Sequence, residues 1–153
     1  MRRLPRILVL VAVLLLAFAL PAAATPPADV NIAVESSLVG DPSPFSASGP
    51  AVDEGIVCAT GTVTDASGKV TGASPTGFNY QGIKHFVCED GSGEFFMNLQ
   101  ARIDFRKGTT FNWNVLSGTD AYEKLHGAGS GDGLPGCGED CILDVYDGGL
   151  HID

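Results

Sequence analysis

The sequence predicts an all-β fold, and three observations carry that prediction. Residues 94–105 alternate apolar and polar with a period of two, with one exception at Phe96. Glycine is abundant, at twenty residues, and punctuates short β-rich runs. Long stretches with apolar residues at helical spacing are absent.

The first element is a leader. Arg2, Arg3 and Arg6 precede an unbroken apolar run over residues 7–20, and Ala22-Ala23-Ala24 supplies small residues for cleavage. The run is shorter than the ~20 residues that span a bilayer and suits a signal-peptide core. Residues 1–24 are therefore read as a secretory signal peptide. The mature chain is then secreted, with no membrane insertion after signal removal. Taking the three leader arginines from nine Lys and Arg leaves six, against eighteen Asp and Glu, a formal charge of −12. That balance speaks against nucleic acid and anionic membrane as partners, because both reward clustered basic side chains.

Residues 25–153 suffice for a single domain. Residues 25–51 form a Pro/Ser-rich segment in which Val30, Ile32 and Val34 mark one strand, with exposed coil around it because proline removes ladder donors. Residues 52–153 make the remainder. Within them, residues 55–65 (GIVCATGTVTD) read as a strand ending at the turn signal Ala66-Ser67-Gly68. Phe78 and Tyr80 share one face of the next segment.

Two hairpins follow. A two-residue Gly91-Ser92 loop, or a four-residue loop over 90–93 in the same register, places Cys88 opposite Phe95 and Phe86 opposite Met97. It also sets Glu89 against Glu94, a like-charge pair. A three-residue loop, Arg106-Lys107-Gly108, places Ile103 opposite Phe111, Ala101 opposite Trp113 and Leu99 opposite Val115. The expected core is Phe86, Phe95, Met97, Leu99, Ile103, Phe105, Phe111, Trp113 and Val115. Asp120 with Glu123 three residues on suggests a capped short helix over 121–126. A glycine-rich loop, GAGSGDGLPGCGEDC, then leads to a last strand over 142–146 and a Gly148-Gly149 bulge before residues 150–152.

Four cysteines in a secreted small domain point to disulfides before metal. Three pairings are possible; the favoured one joins Cys58 to Cys88 and Cys137 to Cys141. His85-x-x-Cys88 looks like half a zinc site, but residues three apart on a strand point to opposite faces. Asp132, Glu139, Asp140, Asp144 and Asp147 offer oxygen atoms, yet their spacing is not that of an EF-hand loop. Gly91-Ser92-Gly93 lacks the helix and Lys-Ser/Thr of a phosphate loop, and no G-x-S-x-G elbow occurs. No metal site, cofactor or catalytic residue is therefore assigned.

The stretch FNWNVLSGTDAYEKLHGAG, Phe111 to Gly129, resembles the strand–turn–strand signature of the allene-oxide-cyclase-like barrels, which include dirigent-type proteins. Gly118, Thr119, Tyr122, Leu125, Gly127 and Gly129 match it, and Asp120 stands where a further glycine is common. Residues 84–104 are also similar to small secreted bacterial proteins with this barrel. The resemblance covers about half of the mature chain. It implies a single antiparallel barrel of about eight strands and transfers no active site.

Barrels of that size can hold one small ligand, although aromatic faces are more often packed core. Trp113, Tyr80 and Tyr122 are the ligand-binding candidates, for a small apolar partner at a barrel mouth. The leading expectation is a non-catalytic binding or surface-interaction protein. The alternative is an isomerase or cyclase acting in the barrel, for which Glu123, His126 and His85 are the candidate ionisable groups.

Overall fold

Alternating apolar side chains build eight strands, and their pairing leaves no open edge. The computed structural model describes residues 26–37, 39–40, 42–135, 137–138 and 140–153; the leader expected over 1–24 lies outside the described residues. The strands are β1 (Ala28–Ser37), β2 (Ser43–Ser48), β3 (Thr60–Ser74), β4 (Gly77–Cys88), β5 (Glu94–Asp104), β6 (Gly108–Gly118), β7 (Leu125–Pro135) and β8 (Cys141–Ile152). Each pairs antiparallel with the next, and β8 pairs back with β1, closing the barrel. Closure removes the unpaired edges on which other chains could pair. A short helix, α1 (Pro50–Asp53), and a 3₁₀ turn (Asp120–Tyr122) complete the elements among the described residues. Among the described residues no helix is long and apolar enough to cross a membrane.

The interior is aromatic. Phe86 and Phe95 stack with centroids 4.8 Å apart, and Tyr146 packs against Phe86, Phe111 and Trp113. Ile32, Val34, Phe45, Val63, Met97 and Leu150 fill around them, all at most 4% exposed. Both favoured disulfides form, Cys58–Cys88 and Cys137–Cys141. The first ties the segment after α1 to the end of β4, with both cysteines buried.

Both hairpins pair two residues away from the expected register. Phe86 faces Phe95, and Lys84 faces Met97. Leu99 faces Trp113, and Ala101 faces Phe111. A shift of two keeps each side chain on its expected face. The cause lies in the turns. Asp104 Oδ1 accepts the backbone N–H groups of Arg106 and Lys107, so the chain turns immediately after Asp104. Phe105 becomes a loop residue, 64% exposed, and does not belong to the core. In the other turn Asp90 Oδ1 accepts from the Ser92 N–H and hydroxyl, while Cys88 N–H bonds Gly93 O. Glu89 then reaches Thr60 and Glu94 reaches His85, so the like-charge opposition is never made. Ile103 and Val115 are only partly buried.

Four further elements differ from expectation. The segment 25–51 holds a second strand, β2, whose Ser43, Phe45 and Ala47 turn inward; Pro44 is tolerated near the strand start. Strand β3 runs through the expected turn at 66–68 with a bulge between Asp65 and Ser67. The short helix over 121–126 is only the 3₁₀ turn, because Leu125 is already paired with Ile152 in β7. Asp120 adopts φ 53° and does not cap it.

The largest difference is the glycine-rich loop, most of which is β7. Gly127, Gly129, Gly131 and Gly133 occupy its inward positions, where neighbouring strands take up the space: rings at Gly129 and Gly131, Leu150 at Gly127, and Thr109 and Ile142 at Gly133. A Cβ at Gly129 would lie 2.7 Å from Trp113 Cζ2, and one at Gly131 would meet the Phe111 ring. Glycine serves here as packing partner to large rings. Strand β8 likewise pairs continuously through Gly148 and Gly149, with no bulge.

Candidate functional site

The hydrophobic filling gives way to polar side chains toward one end of the barrel, the end bearing the β3–β4, β5–β6 and β7–β8 turns. On β8 the inward alternation runs Ile142, Asp144, Tyr146, Gly148, Leu150, which sets a carboxylate and a phenol on the inner face. On β4 the same alternation brings Lys84, Gly82 and Tyr80 to that face beyond Phe86. Asp65, just before the β3 bulge, meets them from the neighbouring strand.

The groups connect. Lys84 Nζ lies 2.7 Å from Asp65 Oδ1, with the Lys84 side chain 13% exposed. The Tyr80 hydroxyl makes a long contact with the same oxygen, 3.4 Å. Ser36 Oγ donates to Asp144 Oδ2 at 2.6 Å. Burial pushes the Asp144 carboxyl above its usual value, against the opposing effects of the Ser36 hydroxyl and the Lys84 charge. Tyr146 is fully buried, and its hydroxyl has no hydrogen-bond partner among the described residues. Burial first, and then the Asp144 and Asp65 carboxylates, push its phenol well above the usual value. The hydroxyl is therefore a neutral donor inside the protein with nothing to donate to.

Tyr80 lies across this mouth. A Cβ at Gly82 would sit 2.6 Å from its ring, and one at Gly68 would also meet it. Two glycines paired across β3 and β4 thus make room for one ring. Below it, Tyr146 and its aromatic neighbours form the floor. The arrangement offers a polar rim, a buried hydroxyl and an apolar base.

The expected ligand-binding residues are dispersed. Tyr80 stands at the mouth. Trp113 is 2% exposed in the core beneath it, with Nε1 donating to Ser130 O. Tyr122 lies at the opposite end, its hydroxyl 2.6 Å from Ser92 Oγ and 3.3 Å from Cys88 Sγ. The Ser92 hydroxyl donates to Asp90, so the phenol donates to Ser92 Oγ, and the disulfide sulfur, which carries no hydrogen, is a close neighbour only. His85 faces outward, stacked on Phe96 and bonded to Glu94. His126 is exposed beside Asp153, and Glu123 is exposed. None of these three reaches the interior. Asp132 and Asp147 point outward while Asp144 points inward, and Glu139 lies outside the described residues.

Tyr146, Lys84, Asp65 and Ser36 were not singled out by the sequence, and Asp144 was considered only among oxygen ligands for calcium. A signal did exist for Lys84, since it shares the inward register of Phe86 and Cys88. For β8 the signal was ambiguous, because Leu143 and Val145 make the outer face as apolar as the inner one.

No family model matches the chain, and comparison with curated proteins and with solved structures gives no match either.

Proposed function

We propose that this is a secreted, non-catalytic binding protein that takes a small, largely apolar ligand with one hydrogen-bonding group at the Tyr80–Lys84–Asp144–Tyr146 mouth. One observation carries the reading: the Tyr146 hydroxyl is buried without a partner. Native proteins satisfy almost all such groups, and an exception points to a missing ligand atom or water. The aromatic floor suits the ligand's apolar part, and Tyr80 acts as the lid that moves aside for it. Two disulfides suit an oxidising compartment, which supports the export reading of residues 1–24.

The second reading, an isomerase or cyclase, is favoured by Asp144. A half-buried carboxyl with a raised pKa beside a neutral phenol is a usable acid–base pair.

Titration with p-nitrophenol, read by quenching of the single tryptophan, Trp113, tests the binding reading. Saturable quenching that disappears in Tyr146→Phe is expected. Quenching that rises linearly without saturation, or that is indifferent to Tyr146→Phe, removes the mouth as a binding site. The enzyme reading requires in addition that a bound compound be converted, with the rate lost in Asp144→Asn.

A further inference from the structure

We infer that the outer face of β4–β7 binds a linear, neutral oligosaccharide. This surface uses the side chains that alternate with those of the mouth, and it adjoins the mouth at Tyr80 and Phe111, which border both.

Strand register builds the face. Gln81, Gln100, Asn112 and Ser130 stand in one cross-strand row. Asn79, Arg102, Thr110 and Asp132 form the adjacent row, two residues along each strand. All eight side chains are exposed, while their sequence neighbours Ala101, Phe111 and Gly131 are buried. The rows line a trough of about 630 Å³. A second trough of about 230 Å³ shares Asn79 and Arg102 with it and continues toward the β3–β4 turn. Each row crosses three strand spacings, roughly 14 Å. That length fits a run of sugar rings better than a single one.

The chemistry of the rows narrows the ligand. Amides offer donors and acceptors in one plane, and hydroxyls offer both from one atom, which matches a ligand whose surface is hydroxyl groups. Among the described residues, none of the eight side chains is hydrogen-bonded or ion-paired within the protein. Elsewhere on the outer surface some polar side chains pair, as Asn98 with Asn114 and Asn31 with Asp147 do, while others such as Ser46 and Thr62 do not among the described residues. One Arg and one Asp leave the rows without net charge, so neither a phosphate backbone nor an anionic surface is favoured. The trough also touches Tyr80 and Phe111, but Phe111 is buried and Tyr80 partly so, and the exposed rows themselves carry no aromatic or large aliphatic anchor of the kind a protein interface core uses.

Affinity electrophoresis of the disulfide-bonded protein through gels holding a soluble β-glucan, a xylan or a mannan tests the inference. Retardation by at least one polysaccharide is expected. Gln100→Ala with Asn112→Ala should weaken it tenfold or more at unchanged Tm, since exposed polar side chains contribute little to stability. Tyr146→Phe should migrate like the parent, which keeps this result independent of the mouth. Retardation by none of the three, or retardation that survives the double substitution, overturns the inference. So does retention on a protein ligand alone that the double substitution abolishes.

Discussion

Trp113 and Gly129 face each other across the β6–β7 ladder, and the indole occupies the volume a side chain at Gly129 would need. A Cβ there would lie 2.7 Å from Trp113 Cζ2 and 2.8 Å from the Gly148 Cα, so neither a ring nor a backbone can yield cheaply. Gly129→Ala is expected to destabilise by about 2–3 kcal/mol, the range of core overpacking. Gly40→Ala, with nothing within 4 Å, should stay within about 0.5 kcal/mol. Urea unfolding of both compares them. Equal effects would show that the glycines of β7 are not there to admit rings.

The buried hydroxyl of Tyr146 makes the opposite prediction for stability. An unsatisfied buried donor costs about 1–3 kcal/mol. Tyr146→Phe should therefore leave the ligand-free protein as stable as before or more so, by up to about 1 kcal/mol. A thermal melt that falls by several degrees would mean that the hydroxyl is bonded, and the binding reading would lose its main support.

The two disulfides differ in reach, with sequence separations of 30 and 4. Loop-closure entropy assigns about 3.6 kcal/mol to Cys58–Cys88 and about 2 kcal/mol to Cys137–Cys141. Denaturant midpoints of Cys58→Ala with Cys88→Ala, and of Cys137→Ala with Cys141→Ala, should fall in that order. Because Cys58 and Cys88 are also buried, a smaller loss for their removal than for the surface pair would contradict the core position of the first bridge.

Asp144 and Asp104 predict opposite responses to pH. The Asp144 carboxyl is raised by burial, so its contribution to stability is present below the ordinary value of 3.8 and is lost as pH rises through its folded value. Asp144→Asn should stabilise at pH 7, and the difference should vanish toward pH 2. The Asp104 carboxyl is lowered, chiefly by the Arg106 N–H. Its contribution is present above 3.8 and is lost as pH falls through its lowered value. Asp104→Ala should destabilise at pH 7 and converge on the parent in acid. Unfolding curves at the two pH values give both answers, and shifts of the same sign would refute the assignment of one carboxyl.

The parts of this structure legible in the sequence are those set by period-two alternation. Phe95, Met97 and Leu99 on β5, with Phe111 and Trp113 on β6, lie on the face their spacing implied. Register was less legible. It was settled by single side-chain oxygens at Asp90 and Asp104, which begin each turn at a residue that hydrophobic matching cannot choose. Strand β7 was hidden for a deeper reason. Its inward residues have no side chains, so alternation leaves no trace, and the cue for the strand sits in the large rings of β6. The mouth was hidden too, because Asp65 and Lys84 come together only through the β3 bulge and the β3–β4 ladder, while Asp144 arrives from the other end of the chain.

The bare inner wall of β7 also gives the barrel its own reporters. The α-protons of Gly129 and Gly148 are pressed against the Trp113 indole, and those of Gly131 against the Phe111 ring. Aromatic ring currents will displace their proton resonances from the usual glycine position. Any repacking of the interior, whether by a ligand at the mouth or by substitution, should then be readable as movement of a few isolated lines in an NMR spectrum.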